Sequence, residues 1–210
     1  MNTILTILDE TKMYYDAKLA AHDATPAGVD WNSRESQELR FKKLLDFYDL
    51  NQAFSINDIG CGYGALYEYL SKNIPQFQYY GMDISQAMIA TARQQHEVQA
   101  NCVFTSNFEE LAIADYSVAS GIFNVKQERT SSEWLSYILW TLDRMDKISQ
   151  KGFSFNCLTS YSDAEYMRDD LYYADPCYFF DYCKKRYAKN VALLHDYGLY
   201  EFTIIVKKSG

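Results

Sequence analysis

The chain has 210 residues, enough for one domain with a substantial core. Its formal charge of −8 argues against a nucleic-acid partner, and no run of about eighteen apolar residues is present to span a membrane. The start lacks the pattern of an export signal, and Cys61, Cys102, Cys157, Cys177 and Cys183 form no C-x-x-C pair, so a reduced cytoplasmic setting without metal or disulfides is expected.

Residues 2–21 read as an amphipathic helix, with Ile4, Leu5, Ile7, Leu8, Tyr14, Tyr15, Leu19 and Ala20 marking its face. Residues 24–28 are a breaker, and Asn32 or Ser33 caps a second helix to about residue 48, with Leu39, Leu44, Leu45 and Phe47 inward. Residues 1–50 are therefore expected as a helical N-terminal extension and residues 51–210 as the main domain. The 19 tyrosines, with 12 phenylalanines and 3 tryptophans, exceed what such a core needs and suit half-wet positions in pockets and lids.

Residues 55–59 read as a strand, followed by Gly60, Gly62 and Gly64 at alternate positions and a helix over 66–72. A strand, a glycine turn and a helix make a nucleotide-binding corner, with Asp58 at the strand's carboxyl end. In this reading Gly60 turns the chain, Gly62 lets backbone N–H groups approach a ligand, and Gly64 lets helix and strand pack. The same residues satisfy G-x-G-x-x-A through Gly60, Gly62 and Ala65, so a dinucleotide stays open here. After Pro75, residues 77–82 form a second strand ending at Asp83, whose spacing from the glycine turn suits a carboxylate on ribose hydroxyls. The alternative is that Asp83 only caps the next helix, from residue 86 to about 97.

The run Asp58-Ile59-Gly60-Cys61-Gly62-Tyr63-Gly64 resembles the first motif of class I S-adenosylmethionine (SAM)-dependent methyltransferases, and Gly81-Met82-Asp83-Ile84-Ser85-Gln86-Ala87-Met88 is similar to their second. The resemblance implies SAM as cofactor, with Asp83 on its ribose and Ile84 and Met88 walling its adenine. After a third strand over 102–105 it implies Asn107 at the adenine amine and Phe108 stacked on the ring, although Asn107 also suits an ordinary turn. After a fourth strand over 116–123 it puts the stretch from Gly121 to Asn124, Phe123 included, along the methionine part. There Asn124-Val125-Lys126-Gln127 departs from the Asn-Pro-Pro-aromatic of enzymes that methylate exposed base or glutamine amino groups.

Thr130 or Ser131 caps a helix to about residue 149, and residues 153–158 are the fifth strand. Residues 159–174, with Tyr161, Tyr166, Tyr172 and Tyr173, are the candidate substrate cap. Asp175 and Pro176 start a helix whose last turn carries Lys184, Lys185 and Arg186, cations that the helix dipole favours without any nucleic-acid role. Residues 191–194 and 200–206 form a closing hairpin. A dehydrogenase would need a second β-α-β half there, whereas a terminal antiparallel strand is the usual ending of class I methyltransferases.

Together these readings predict an α/β, Rossmann-like seven-stranded, mostly parallel sheet with helices on both faces. The expected activity is methyl transfer from SAM to a small molecule, a nucleotide- or NAD-dependent enzyme and a non-catalytic SAM-binding module being the alternatives. The extension is expected to cover the cofactor with Tyr14, Tyr15 and Trp31. Arg40 is assigned either to the methionine carboxylate or to a surface pair with Glu35 or Asp46. No base is assigned among His22, His195, Glu35 and Tyr14, and His96 is expected on an exposed helix.

Overall fold

The computed structural model describes the chain except residues 1, 30, 32, 47, 50, 51, 97, 98, 209 and 210. Asn32 as a cap, Phe47 as an inward residue and position 97 as a helix end lie outside the described residues. Two helices, α1 (Asn2–His22) and α2 (Arg34–Leu44), precede the sheet, with a short 3-10 turn over Pro26–Val29 between them. Then follow β1 (Phe54–Ile59), α3 (Ala65–Asn73), β2 (Phe77–Met82), α4 (Gln86–His96), β3 (Cys102–Thr105) and β4 (Ala114–Ala119). The chain continues through α5 (Ser131–Lys147), β5 (Ser149–Leu158), α6 (Pro176–Arg186), β6 (Asn190–Leu194) and β7 (Glu201–Lys207).

The seven strands are ordered β3-β2-β1-β4-β5-β7-β6. The first five run parallel, and β7 lies antiparallel between β5 and β6. The chain reverses its winding between β1 and β4, so their carboxyl ends open a crevice, the usual ligand position in such sheets.

Period-two alternation sorts the strand residues onto two faces. Phe153 and Phe155 of β5 join Phe202 and Ile204 of β7 under α5 and α6, around the fully buried Trp134 and Phe179. On the other face Ile56, Tyr79 and Val118 pack with Leu66, Leu70 and Ile89. Burying one such aromatic or aliphatic side chain contributes about 1.5–3 kcal/mol. Phe41, Leu44, Leu45 and Tyr48 belong to this second cluster, so α2 and the turn after it are a layer of the core.

Three elements differ from expectation by more than two residues at one end. β4 starts two residues earlier and ends at Ala119, because Gly121 takes φ +77° and its N–H leaves the ladder for Asn156 Oδ1 at 2.7 Å. β5 begins at Ser149, in a polar stretch whose pairing with Ala114 gives no apolar signal. α2 is capped by Ser33, whose Oγ accepts the Ser36 N–H at 3.1 Å, and it ends at Leu44.

The other caps form as expected. Thr130 and Glu133 make a reciprocal capping box on α5, and Asp175 accepts the Cys177 N–H at 2.8 Å at the head of α6. In the last turn of α6, Lys185 meets Asp181, Arg186 meets Asp143, and Lys184 reaches the Lys189 carbonyl.

Candidate active site

A cavity of about 430 Å³ opens at the carboxyl ends of β1, β2 and β4. Its floor is the glycine turn between β1 and α3. Gly60 has φ +79°, and a Cβ there would lie 2.1 Å from Ile122 Cγ2, so only glycine fits. Gly64 caps α3 from the left-handed region; a Cβ there would meet the His96 ring at 2.9 Å. The tight approach that Gly64 permits is thus to α4, not to β1. His96 itself is half-buried between Tyr67 and Phe104, not exposed on its helix, and burial pulls its pKa down.

The N–H groups of this turn point inward. Gly60 and Cys61 both donate to the Met82 carbonyl, at 2.7 and 3.0 Å, and Gly64 donates to the Cys61 carbonyl at 3.0 Å. Gly62 N–H donates to Asp83 Oδ2 at 2.9 Å. The expectation that Gly62 brings N–H groups to a ligand is therefore corrected: these four amides hold the turn.

Two carboxyls face the cavity instead. Asp58, 3% exposed, accepts the Tyr79 hydroxyl at 2.6 Å; burial pushes its pKa up to about 7. Asp83, at the tip of β2, is half-buried, and burial raises its pKa to about 6, opposed by the N–H groups of Ser85 and Gly62. Oδ1 accepts Ser85 N–H at 2.8 Å. The cap of α4 is Ser85, whose Oγ accepts Met88 N–H at 3.0 Å, so Asp83 is not the capping residue.

Ile84 and Met88 line the cavity with Asp83. Asn107 borders the cavity, but its Oδ1 accepts the Glu109 N–H at 3.0 Å, which is the turn chemistry named as its alternative. Phe108 also borders it, with one ring face covered by the Arg144 guanidinium at 4.0 Å.

Two expected contacts are corrected. Phe123 does not line the cavity: it is fully buried against Tyr137 and Phe155, and its carbonyl accepts the Trp134 indole N–H at 2.7 Å. Gly121 and Ile122 take its place. Arg40 does not pair with Glu35 or Asp46. Its Nε and Nη2 each reach a Glu201 oxygen at 2.8 Å, and Nη1 donates to the Ser36 carbonyl at 2.8 Å. Strand β7 carries Glu201 inward beneath α2, an acceptor 161 residues away that local sequence gives no means of finding.

Sequence reasoning missed part of the wall. Among the described residues, the buried side-chain polar atoms without a partner are Thr11 Oγ1, Asn57 Oδ1, Ser120 Oγ and Arg144 Nε. Thr11, Ser120 and Arg144 line this cavity. Leaving such a group unpaired costs about 1–3 kcal/mol, which a polar ligand would offset. Helix α1 closes the mouth with Leu5, Leu8 and Tyr15. It is tied down by Ser85 Oγ–H donating to Asp16 and by Arg129 gripping Glu10 at 2.7 Å. Of the candidate bases, His22 and Tyr14 line an adjoining cavity; His195 is exposed, and its neighbour Asp196 pairs with Lys43 at 2.9 Å.

Residues 57–148, the segment carrying β1 to α5 and most of this wall, match the family model described as "Methyltransferase domain". A protein of Mycobacterium tuberculosis (strain ATCC 25618 / H37Rv) named "Putative methyltransferase Rv1506c" is 58% identical over 156 residues, covering 74% of this chain and 94% of that protein. The chain belongs to the methyltransferase family. Among solved structures this methyltransferase is similar to magnesium protoporphyrin IX methyltransferase of Synechocystis PCC 6803 with bound SAH, with TM-score 0.65 and 14% identity over 99% of this chain and all of that one. It is also similar to human N-acetylserotonin methyltransferase in complex with SAM, with TM-score 0.61 and 16% identity over 84% of this chain. The methyltransferase spans about half the length of that human enzyme, 53% of it. These likenesses establish the class I, Rossmann-like fold.

Proposed function

We propose that this methyltransferase transfers a methyl group from SAM to a small-molecule acceptor. The enzyme is SAM-dependent. The observation that carries the reading is the cavity itself. It offers Asp83 for hydroxyl donors and apolar walls at Ile84 and Met88. The partnerless atoms of Thr11, Ser120 and Arg144 complete a donor and acceptor set that fits a polar nucleoside-bearing ligand.

In this reading Asp83 accepts the ribose hydroxyls, while Ile84, Met88 and Phe108 flank the base. Asp58 steadies the turn from below through Tyr79. Bound there, SAM would supply a methyl group activated on a sulfonium, held by Asp83 at the ribose and by Ile84, Met88 and Phe108 at the base. The chain's own task is to hold the two reactants in line and exclude water, which accounts for much of the acceleration in such transfers. Helix α1 and the Pro26–Val29 turn act as the lid; α2, being part of the core, does not.

A small acceptor suits the closed mouth, because α1 and residues 159–174 leave an adjoining cavity and not an open face. The test is transfer of labelled methyl from SAM into a cell extract separated by size. Label in the fraction below about 1 kDa supports the reading; label confined to protein or RNA overturns it.

A further inference from the structure

A second cavity, of about 410 Å³, adjoins the cofactor cavity and shares Tyr15, Val29, Trp31 and Gly121 with it. Asp83 follows the tip of β2 and Leu158 ends β5, with β1 and β4 between those strands in the sheet. The second cavity, lined by Leu158 and Glu201, therefore continues the first along the carboxyl edge toward β7. Arg168 and Leu171 bring the 159–174 segment to its wall. That segment is tied down, since Val125 bridges Leu171 and Thr159 bridges Ala174.

The charged groups of this wall are engaged. Arg40 holds both Glu201 oxygens, Arg168 holds both oxygens of Asp170, and Lys18 lies over the Tyr14 ring. Three of the described lining residues are buried polar side chains, and two of them, Arg40 and Glu201, pair with each other. The third is Asn124, which is 6% exposed.

Asn124 is held at three points. Its N–H donates to the Gly121 carbonyl at 3.3 Å, its carbonyl accepts Tyr172 N–H at 2.8 Å, and its Oδ1 accepts Leu158 N–H at 3.0 Å. The last bond fixes the side-chain amide. A backbone N–H opposite it demands the oxygen, which leaves the nitrogen at the free end. Nδ2 carries two N–H donors and has no partner among the described residues. Asn124 lines the second cavity and not the first, and a single turn separates it from Gly121, which lines both.

We propose that the second cavity holds the methyl acceptor and that Asn124 is a specificity-determining residue there, its Nδ2–H donating to a carbonyl oxygen of the acceptor. The proposal rests on the small-molecule reading above and adds the group by which the acceptor is recognised. An amide nitrogen donates and does not accept, so it reads a lone pair and offers nothing to an amino or ammonium group. A buried donor left unpaired penalises any molecule that lacks the oxygen, which turns one hydrogen bond into selectivity. The bond also sets direction. With its carbonyl on Asn124, the acceptor extends toward Tyr15, Trp31 and Gly121, the residues shared with the cofactor cavity.

The test is calorimetric titration of the full chain, saturated with SAH, with 4-hydroxyacetophenone against 4-ethylphenol at a pH where both phenols are neutral. The two differ by a carbonyl oxygen in place of two hydrogens, and the ketone is expected to bind at least about tenfold tighter. Asn124→Asp keeps an oxygen for Leu158 N–H and turns a second acceptor into the cavity. In that variant the ketone preference should vanish while SAH affinity stays within about twofold of wild type, and transfer of labelled methyl from SAM to the small-molecule fraction of a cell extract should fall at least about tenfold. Equal binding of the two probes by the wild type overturns the proposal, a result that needs no variant to fold. So does a preference or an undiminished transfer that survives in folded Asn124→Asp protein, an SAH affinity that falls in step, or no binding of either probe up to about 10 mM. Failure of the wild type to bind SAH, or label found only in macromolecules, counts instead against the proposed function.

Discussion

Replacing Asp83 with asparagine separates its two duties. One carboxylate oxygen accepts Gly62 N–H at 2.9 Å and the other accepts Ser85 N–H at 2.8 Å. An amide keeps one acceptor and turns a donor toward the other N–H, so the fold should lose about 1–3 kcal/mol. The larger loss falls on the cofactor. Each charge-assisted bond from a ribose hydroxyl contributes about 1.5–3 kcal/mol, and Asp83→Asn forfeits between one and two of them. SAM should therefore bind about tenfold more weakly if one bond of about 1.5 kcal/mol is lost, and up to about ten-thousandfold if two of about 3 kcal/mol are.

A second signature follows from the pKa. Burial holds Asp83 near 6, and only its ionised form accepts from both hydroxyls. Affinity in the wild type should fall below that pH, by about tenfold at pH 5 relative to pH 7.5. The Asp83→Asn variant should show a flat profile. Because Asp58 titrates nearby, at about 7, the comparison is best made with both proteins carrying Asp58→Asn. The assay is calorimetric titration with SAM at three pH values, with urea unfolding to verify that the variant is native. A folded variant within threefold of wild type, or a flat wild-type profile, would refute the ribose role.

Asp58→Asn itself should stabilise the ligand-free protein at pH 8. A carboxyl whose folded pKa is raised to about 7 contributes stability that is present below its unfolded pKa and lost as pH rises through 7, so the gain should be about 1–4 kcal/mol at pH 8 and vanish near pH 4 by urea unfolding. Glu201→Gln should cost about 3–5 kcal/mol of stability by urea unfolding, because it strands the buried Arg40 guanidinium. Deleting residues 1–25 should leave a folded protein that releases SAM faster in stopped-flow, and an unchanged release rate would remove α1 from the lid role. Thr130→Ala should lower stability by about 0.5–2 kcal/mol through loss of the α5 capping box, with SAM affinity unchanged.

The sequence by itself determined the order and kind of the elements, because those follow from interactions within a few residues. Period-two runs marked the strands, the glycine turn marked the β1–α3 corner, and Asp175–Pro176 marked the head of α6. The same local chemistry placed Asp83 at a strand tip facing the crevice, since spacing along one strand–helix unit fixes it. Where side chains at distant positions compete for one group, local reading fails. Gly62 N–H seemed available to a ligand until β2 brought Asp83 to it, 21 residues on. Arg40 seemed ready for a ligand carboxylate until β7 carried Glu201 beneath α2. Phe123 looked like a site residue because its neighbours are; the turn at Gly121 rotates it into the core instead. Nor could periodicity reveal a second cavity, whose walls come from α1, α2, the 159–174 segment and β7. Only the tertiary structure decides such matters, because burial and pairing depend on which strands become neighbours, and in this sheet β5 takes β7 as its second neighbour and not β6, the strand that follows it in the chain.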